Sequence, residues 1–114
     1  MKMHDDDVFR IRVNIPEDLL EEMMDSVNSA MEPVFKGYDR AFEYSRVKGT
    51  WRALRGSSPF RGNIDETEVA DEIRLEFVAR GKDVKNIVNT IVSLHPYEEP
   101  AIDITPTYLW RDVV

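Results

Sequence analysis

The beginning of the chain changes from a strand-like to a helix-like hydrophobic pattern. From Val8 to Ile15 apolar and polar residues alternate strictly, which is typical of a strand with one buried face. Pro16 then suits the first position of a helix, where its missing N–H costs no hydrogen bond. The apolar residues that follow are spaced as one stripe of a helix: Leu20, Met23, Met24, Val27 and Met31. We therefore predict a strand followed by a helix that lays this stripe on a sheet.

The middle of the chain is rich in β-forming residues and then becomes a loop. Residues 38–48 predict one long strand and residues 50–55 a shorter one, with Gly49 as a turn or bulge between them. The glycines, prolines and serines of residues 56–63 predict a loop. Within that loop, Phe60 is a candidate for an aromatic side chain that faces a partner.

The second half of the chain repeats the strand, helix and strand order. Residues 72–80 alternate as a strand, and Asp83 is a plausible N-cap for the helix that follows. The apolar stripe of this helix consists of Val84, Ile87, Val88, Ile91 and Val92. We expect the helix to end just before His95, because Pro96 disfavours helical geometry at the preceding residue. Residues 101–107 alternate again and predict a closing strand.

This element order predicts an α+β fold, a ferredoxin-like βαββαβ sandwich with two helices on one face of a mostly antiparallel sheet. We place the domain at residues 8–107, between a disordered N-terminal tail (1–7) and a C-terminal tail (108–114). The other face of the sheet is left bare, and several aromatic residues exceed what one covered layer needs: Phe42, Tyr44, Trp51 and Trp110. Exposed apolar patches mark association, so we predict an oligomer.

Composition limits the class of protein. With 114 residues the chain forms a single domain, and without cysteine it has no disulfide, thiolate metal site or cysteine nucleophile. No apolar run approaches the ~20 residues that span a bilayer, and no signal peptide is evident, so we expect a cytoplasmic protein and no membrane partner. The net charge of −7 argues against a dedicated nucleic-acid binder.

The charge is unevenly distributed along the chain. Residues 36–61 hold seven basic and two acidic residues, a local excess of +5, whereas the remainder carries −12. One interpretation is self-complementarity, in which this segment packs against the acidic surface of a neighbouring copy. The other is an anion site for a phosphate or a nucleotide, although no glycine-rich phosphate loop accompanies it.

The most specific motif is the stretch from His95 to Ala101, which reads His-Pro-Tyr-Glu-Glu-Pro-Ala. It resembles the signature of the insert domain of the Nif-three family (NGG-one-interacting-factor-three-like proteins with a dinuclear metal centre). Three upstream motifs resemble that module in the same order: Gly-Tyr-Asp at 37–39, Gly-Thr-Trp-Arg at 49–52 and Pro-Phe-Arg-Gly at 59–62. The resemblance runs from about Val8 to Ile104.

The resemblance implies a free-standing domain similar to the PII signalling proteins and the CutA divalent-cation-tolerance proteins, both of which assemble as trimers. Two positions depart from the module: Ala41 stands where a cysteine is frequent, and Ala53 where a proline is common. The Nif-three core that holds two metals has no counterpart here, and with only His4 and His95 that centre cannot be rebuilt. The resemblance therefore does not carry over any activity tied to those metals.

Candidate site residues come from these motifs and from the basic segment. The predicted ligand-binding residues are Tyr38, Asp39, Arg40, Trp51, Arg52, Phe60, His95 and Tyr97. Because imidazole and carboxylate groups are ligands of divalent metals, His95, Glu98 and Glu99 are the candidate metal ligands, with a divalent metal as the one cofactor considered. The structural alternative is that His95 satisfies carbonyl groups at the helix end. We assign no catalytic residue, since no activated nucleophile or second histidine of the folded region accompanies His95.

Four functions compete at this point. The leading hypothesis is a non-catalytic homotrimer whose inter-subunit clefts receive a small anionic metabolite, a divalent metal or a protein partner. The second is an accessory subunit that docks on a separate Nif-three-like or other protein core. The third is a small metal-dependent hydrolase that uses His95 and Glu98, and the fourth is nucleic-acid binding through residues 40–61.

Overall fold

The fold is a four-stranded antiparallel sheet with two helices on one face. A computed structural model describes residues 3–114 of the chain. The elements are β1 (Val8–Ile15), a 3-10 turn (Glu17–Leu19), α1 (Leu20–Ser29), β2 (Glu43–Arg52), β3 (Thr67–Arg80), α2 (Gly81–Leu94), β4 (Ile102–Thr107) and α3 (Trp110–Val113). The strand order is β2-β3-β1-β4, and each neighbouring pair is antiparallel. The predicted α+β, ferredoxin-like class is confirmed.

The core lies between the helices and the face of the sheet that the alternating pattern predicts. The buried strand residues are Phe9, Ile11, Val13, Ile15, Ile73, Leu75, Phe77 and Ala79. The buried helix residues are Met23, Met24, Val27, Val84, Ile87 and Ile91. Both sets follow the period of their element, so each helix buries one stripe against one face of the sheet.

The predicted break at Gly49 is wrong. β2 is one uninterrupted strand in which Gly49 pairs with Ala70, and it begins at Glu43 rather than at Tyr38. The preceding residues turn instead, since Gly37 has a φ of 86° and Arg40 a φ of 52°. Glycine at position 49 leaves room for a neighbouring side chain rather than making a turn, because a Cβ at this position would overlap the carboxylate of Glu72.

The predicted start of the second helix is also corrected. α2 begins at Gly81, and Arg80 is the residue that precedes its first turn. Asp83 lies inside that turn, and its Oδ2 accepts a hydrogen bond from the backbone N–H of Glu32 at 3.1 Å. The carboxylate therefore ties the beginning of the segment after α1 to α2 instead of capping its own helix.

The hairpin formed by β2 and β3 projects beyond the rest of the sheet. β1 pairs with β3 only from Ile73 onwards, whereas β2 pairs with β3 from Thr67 to Glu76. Residues 47–52 and 67–72 therefore extend past the end of β1, and we call them the arm. The arm positions the candidate site described below.

The bare face of the sheet is charged rather than aromatic. Arg10 bonds Glu43 at 3.2 Å, and Arg12 bonds Asp103 at 2.8 Å, across strands of this face. The expected aromatic patch is wrong for two of its four members: Phe42 packs on the core with its ring centroid 5.4 Å from that of Phe77, and Tyr44 pairs with Leu75 on the helix side. Trp110 lies in α3, outside the strands, and is 64% exposed. Trp51 lies on the bare side, in the arm, where it pairs with Glu68.

The segment before β1 contacts the start of α2. The carbonyl groups of Asp5 and Asp7 accept hydrogen bonds from the backbone N–H groups of Lys82 (3.2 Å) and Gly81 (2.7 Å). The carbonyl of His4 occupies the space that a Cβ at Gly81 would need.

The domain boundaries and the two tails stay predictions, and residues 1 and 2 of the N-terminal tail lie outside the described residues. None of the helices between residues 3 and 114 has the length and apolar character needed to cross a membrane.

Candidate functional site

A cleft of about 450 Å³ lies between the arm and the turn formed by residues 95–100. Its walls come from the arm, from the loop after β2 and from the turn, which are distant in sequence. The predicted residues among its lining are Trp51, Arg52, Phe60, Tyr97, Glu98 and Glu99. A volume of this size is within the range that small-molecule sites occupy.

Aromatic rings form one wall of the cleft. The ring of Tyr97 lies 5.4 Å from that of Trp51 and 5.9 Å from that of Phe60, measured between centroids. On its other side, Tyr97 lies 4.8 Å from the imidazole of His95. Such tilted contacts stabilise a cluster beyond the area it buries. The cluster also joins the arm, the loop and the turn, so it sets the shape of the cleft.

Glu72 is a buried carboxylate in the wall of this cleft. The residue is 5% exposed, and Gly49 leaves the space its carboxylate occupies. Burial, together with the charge of Glu72 and a hydrogen bond to it, raises the pKa of Tyr97 to about 12. The Tyr97 hydroxyl therefore stays protonated and donates to this carboxylate. None of the ion pairs among residues 3–114 includes Glu72.

His95 is buried, and both of its ring nitrogens are engaged. Nε2 lies 2.7 Å from the carbonyl oxygen of Asn14, and Nδ1 accepts the backbone N–H of Tyr97 at 3.2 Å. Because Nδ1 accepts, the proton is assigned to Nε2, which donates to the carbonyl. The imidazole thus joins β1 to the turn, and metal binding by His95 would require one of these bonds to break.

The two carboxylates of the turn differ in their contacts. Glu98 Oε1 accepts the backbone N–H of Ser58 at 3.1 Å and so holds the loop after β2 against the turn. Glu99 is exposed at the rim of the cleft. Among residues 3–114 no three His, Asp or Glu side chains are grouped as a metal site would need. The assignment of His95, Glu98 and Glu99 as metal ligands stays a prediction.

The structure separates three predicted ligand-binding residues from the others. Tyr38, Asp39 and Arg40 lie in the segment after α1 and do not line the cleft. The Asn28 side chain binds both the Asp39 carboxylate (3.0 Å) and the backbone N–H of Arg40 (2.9 Å). The Arg40 guanidinium also donates to Asp25 at 2.6 Å. These bonds fix the segment on α1 of the same chain.

Most of the basic segment is paired within the chain. Its ion pairs join Arg40 to Asp25, Arg46 to Glu17, Lys48 to Asp71 and Arg61 to Glu68. Four of the seven basic residues are thus already neutralised locally. Neither interpretation drawn from the sequence, a neighbouring copy or an anion, considered this arrangement.

Sequence reasoning missed Glu72 and Gly49 as parts of the site. The alternation of residues 72–80 puts Glu72 on the face opposite to Ile73 and Leu75, which predicts an outward side chain whose charge needs no explanation. Its burial follows from the pairing of β2 with β3, which sets Val47 opposite Glu72 and Gly49 two residues further along the arm. A glycine inside an otherwise β-forming run was the available signal, since it marks the close approach of another group.

The fold is that of a PII/CutA-like, ferredoxin-like domain. Two solved structures with this fold are CutA from Archaeoglobus fulgidus (TM-score 0.66, 14% identity, covering 92% of this chain and 90% of that one) and GlnK from B. subtilis (TM-score 0.60, 13% identity, covering 89% and 85%). At this level of identity the likeness concerns the fold alone. The predicted PII/CutA-like architecture is confirmed.

The predicted resemblance to the Nif-three proteins is also confirmed. A Staphylococcus epidermidis protein named GTP cyclohydrolase 1 type 2 homolog is 32% identical over 95 residues, which are 83% of this chain and 26% of the relative. The Bacillus cereus protein related to NIF3 superposes with a TM-score of 0.79 at 21% identity, over 96% of this chain and 28% of that one. The chain therefore spans about a quarter of the length of the curated relatives it matches. No family model matches the chain.

Proposed function

We propose that this chain is a non-catalytic, self-associating binding module whose ligand site is the cleft between the arm and the turn. The observation that carries the proposal is the cleft itself, about 450 Å³ with an aromatic wall of Trp51, Phe60 and Tyr97. Aromatic walls with a few convergent polar groups are typical of small-molecule sites. The engaged nitrogens of His95 favour binding over general base catalysis at this site.

Self-association, as a homotrimer, is the second part of the proposal. It is supported by the PII/CutA-like fold and by the arm, which carries exposed strand residues beyond the sheet and offers an edge for another copy. Light scattering and sedimentation over a range of protein concentrations test this part. A monomer at every concentration would contradict it without affecting the ligand site.

Calorimetric titration tests the ligand site. The panel contains nucleotides, other phosphorylated metabolites, divalent metals and organic amines, so that both the anion and the metal expected from the sequence are included. Trp51→Ala should abolish binding of whichever compound binds, because it removes one aromatic wall. Trp110→Ala is the matched control, since Trp110 lies in α3 and does not line the cleft. Absence of binding across the panel, or equal loss in both variants, would contradict the proposal.

An accessory role is a second candidate, and one observation favours it. The matched relatives are about four times as long as the aligned segment, so this module occurs there as part of a larger protein. On this hypothesis the chain docks on a separate protein core. Co-purification of the tagged chain with a defined partner, lost when the loop at the tip of the arm (residues 53–66) is replaced by a short glycine–serine linker, would support it. A chain that is recovered alone from its native lysate would count against it.

A further inference from the structure

The charge of the cleft narrows the class of ligand, on the assumption that the cleft is the binding site proposed above. Its lining includes three carboxylates, those of Glu72, Glu98 and Glu99, and two guanidinium groups, those of Arg52 and Arg61. Arg61 is already paired with Glu68 at a distance of 3.0 Å. The cleft is therefore acidic on balance, although the segment that forms its arm is basic in sequence.

Glu72 is the least exposed of the three carboxylates of the cleft, since Glu98 and Glu99 are both exposed. A carboxylate that is removed from water is costly unless a cation or several hydrogen-bond donors compensate it. Tyr97 supplies one donor, while an ionised carboxylate can accept about four hydrogen bonds. No lysine, arginine or histidine among residues 3–114 lies within ion-pair distance of Glu72. A cationic ligand in the cleft would supply the charge partner that Glu72 does not have within residues 3–114.

The surroundings of Glu72 suit an organic cation better than a metal ion. A divalent ion would need several oxygen ligands around it, and residues 3–114 do not group three acidic or histidine side chains in that way. An ammonium or guanidinium group, in contrast, can be held by one buried carboxylate if the rest of the molecule packs on apolar walls. The rings of Trp51, Tyr97 and Phe60 offer such a wall, and their faces also attract cations.

We propose that the cleft binds an organic cation, a primary amine or guanidinium attached to a flat or apolar body. The Glu72 carboxylate accepts its N–H groups, the rings of Trp51 and Tyr97 contact its body, and Glu99 at the rim adds a weaker, solvent-screened attraction. This assignment replaces the small anion expected from the basic segment, most of which is paired within the chain.

The experiment compares three compounds of one shape and different charge: phenethylamine (cationic), hydrocinnamate (anionic) and hydrocinnamamide (neutral). Binding is followed by the fluorescence of Trp51 in a Trp110→Phe background, which leaves Trp51 as the one tryptophan of the chain, and by calorimetry. We expect phenethylamine to bind at least about tenfold more tightly than hydrocinnamate, because its ammonium group donates a charge-assisted hydrogen bond to the Glu72 carboxylate, whereas the carboxylate of hydrocinnamate is repelled by it.

Two glutamine variants identify the responsible carboxylate. Glu72→Gln should weaken phenethylamine binding by at least about tenfold and leave hydrocinnamamide within about twofold. Glu76→Gln is the matched control, since it lies four residues away on the same face of β3 and does not line the cleft. Without ligand, Glu72→Gln should melt at the same or a higher temperature than the unchanged protein, because no ion pair within residues 3–114 depends on the charge of Glu72.

The outcomes separate the two proposals. Equal or tighter binding of hydrocinnamate, tighter binding of Mg²⁺, Mn²⁺ or Zn²⁺ that depends on Glu72, or full amine affinity in Glu72→Gln would each overturn the cation assignment while leaving a ligand site in place. A fall of the melting temperature in Glu72→Gln would overturn it as well, since Glu72 would then be a structural partner. Binding of none of these compounds would overturn this assignment, and only silence of the wider panel of nucleotides and phosphorylated metabolites as well would overturn the ligand part of the proposed function.

Discussion

Replacement of His95 by alanine tests whether this residue holds the turn or binds a ligand. The imidazole donates from Nε2 to the carbonyl of Asn14 and accepts the backbone N–H of Tyr97 at Nδ1. Each neutral hydrogen bond contributes about 0.5–1.5 kcal/mol net. The ring contact with Tyr97, at 4.8 Å between centroids, contributes about another 0.5–1.5 kcal/mol. His95→Ala should therefore lower the free energy of unfolding by about 2–4 kcal/mol.

The two hydrogen bonds can be tested separately because they reach in different directions. His95→Asn keeps an acceptor close to the backbone, where it can still receive the N–H of Tyr97, and His95→Gln keeps a donor amide that reaches towards the carbonyl of Asn14. We expect each to recover part of the loss seen in His95→Ala. Whichever variant is closer to the unchanged protein identifies the stronger bond.

Chemical denaturation provides the measurement. The four proteins are compared at several protein concentrations, because self-association would add a concentration-dependent contribution to the apparent stability. A loss of 2–4 kcal/mol corresponds to a fall of the melting temperature of roughly 10 °C or more for a domain of this size. If His95→Ala unfolds like the unchanged protein but no longer binds a divalent metal, the reasoning is refuted and His95 is a ligand.

Three further predictions concern the cleft and the core. The free energy of unfolding should be steady up to about pH 10 and should fall by up to about 2–3 kcal/mol between pH 10 and 12, because unfolded tyrosine ionises near pH 10 while Tyr97 in the fold keeps its proton until about pH 12. Tyr97→Phe should remove that fall, and a variant with the same pH profile as the unchanged protein would contradict this prediction. Gly49→Ala should lower the free energy of unfolding by about 1–3 kcal/mol, because the added Cβ displaces the carboxylate of Glu72. This loss should be smaller in a Glu72→Ala background, and simple additivity of the two changes would argue against the contact. Phe42→Ala should lower the free energy of unfolding by about 2 kcal/mol or more, since its ring packs edge-to-face on Phe77, whereas Tyr44→Ala, at a side chain 57% exposed, should lower it little. Similar losses in the two variants would contradict the packing of Phe42 on the core.

The elements that could be predicted are those whose signal is local. The alternation of Val8 to Ile15 and the stripe from Val84 to Ile91 each fix which side of an element is buried, and the structure buries those sides. Gly49 could not be interpreted in this way. A glycine in a β-rich run is compatible with a turn, a bulge or a close contact, and only the approach of Glu72 from the neighbouring strand decides among them.

Only part of the site could be predicted, because contacts between distant motifs leave no local signal in the sequence. Trp51, Phe60 and Tyr97 lie in short motifs that the sequence shows, and the fold brings them together. Tyr38 and Arg40 belong to a motif of the same kind, yet the segment after α1 turns back on its own helix, where Asn28 and Asp25 hold it. Which motifs meet depends on the path of the loops and on pairing across the sheet, and neither can be read from spacing along the chain. The same holds for the basic residues, whose acidic partners are set by tertiary contacts.

The existence of the cleft follows from the unequal lengths of neighbouring strands. β1 ends at Ile15, opposite Ile73, while β3 and β2 extend six residues further to Thr67 and Arg52. Within residues 3–114 no strand pairs with the free edge of β3 along this extension. The turn of residues 95–100 lies beside that edge, because His95 is bonded to Asn14 near the end of β1. The same geometry explains why Glu72 is buried although it belongs to a face that is otherwise solvated. Glu72 is the first residue of β3 beyond β1, so the side chain of Tyr97 covers it where a strand would otherwise lie. A strand would have filled this space, whereas a single covering side chain leaves room for a ligand.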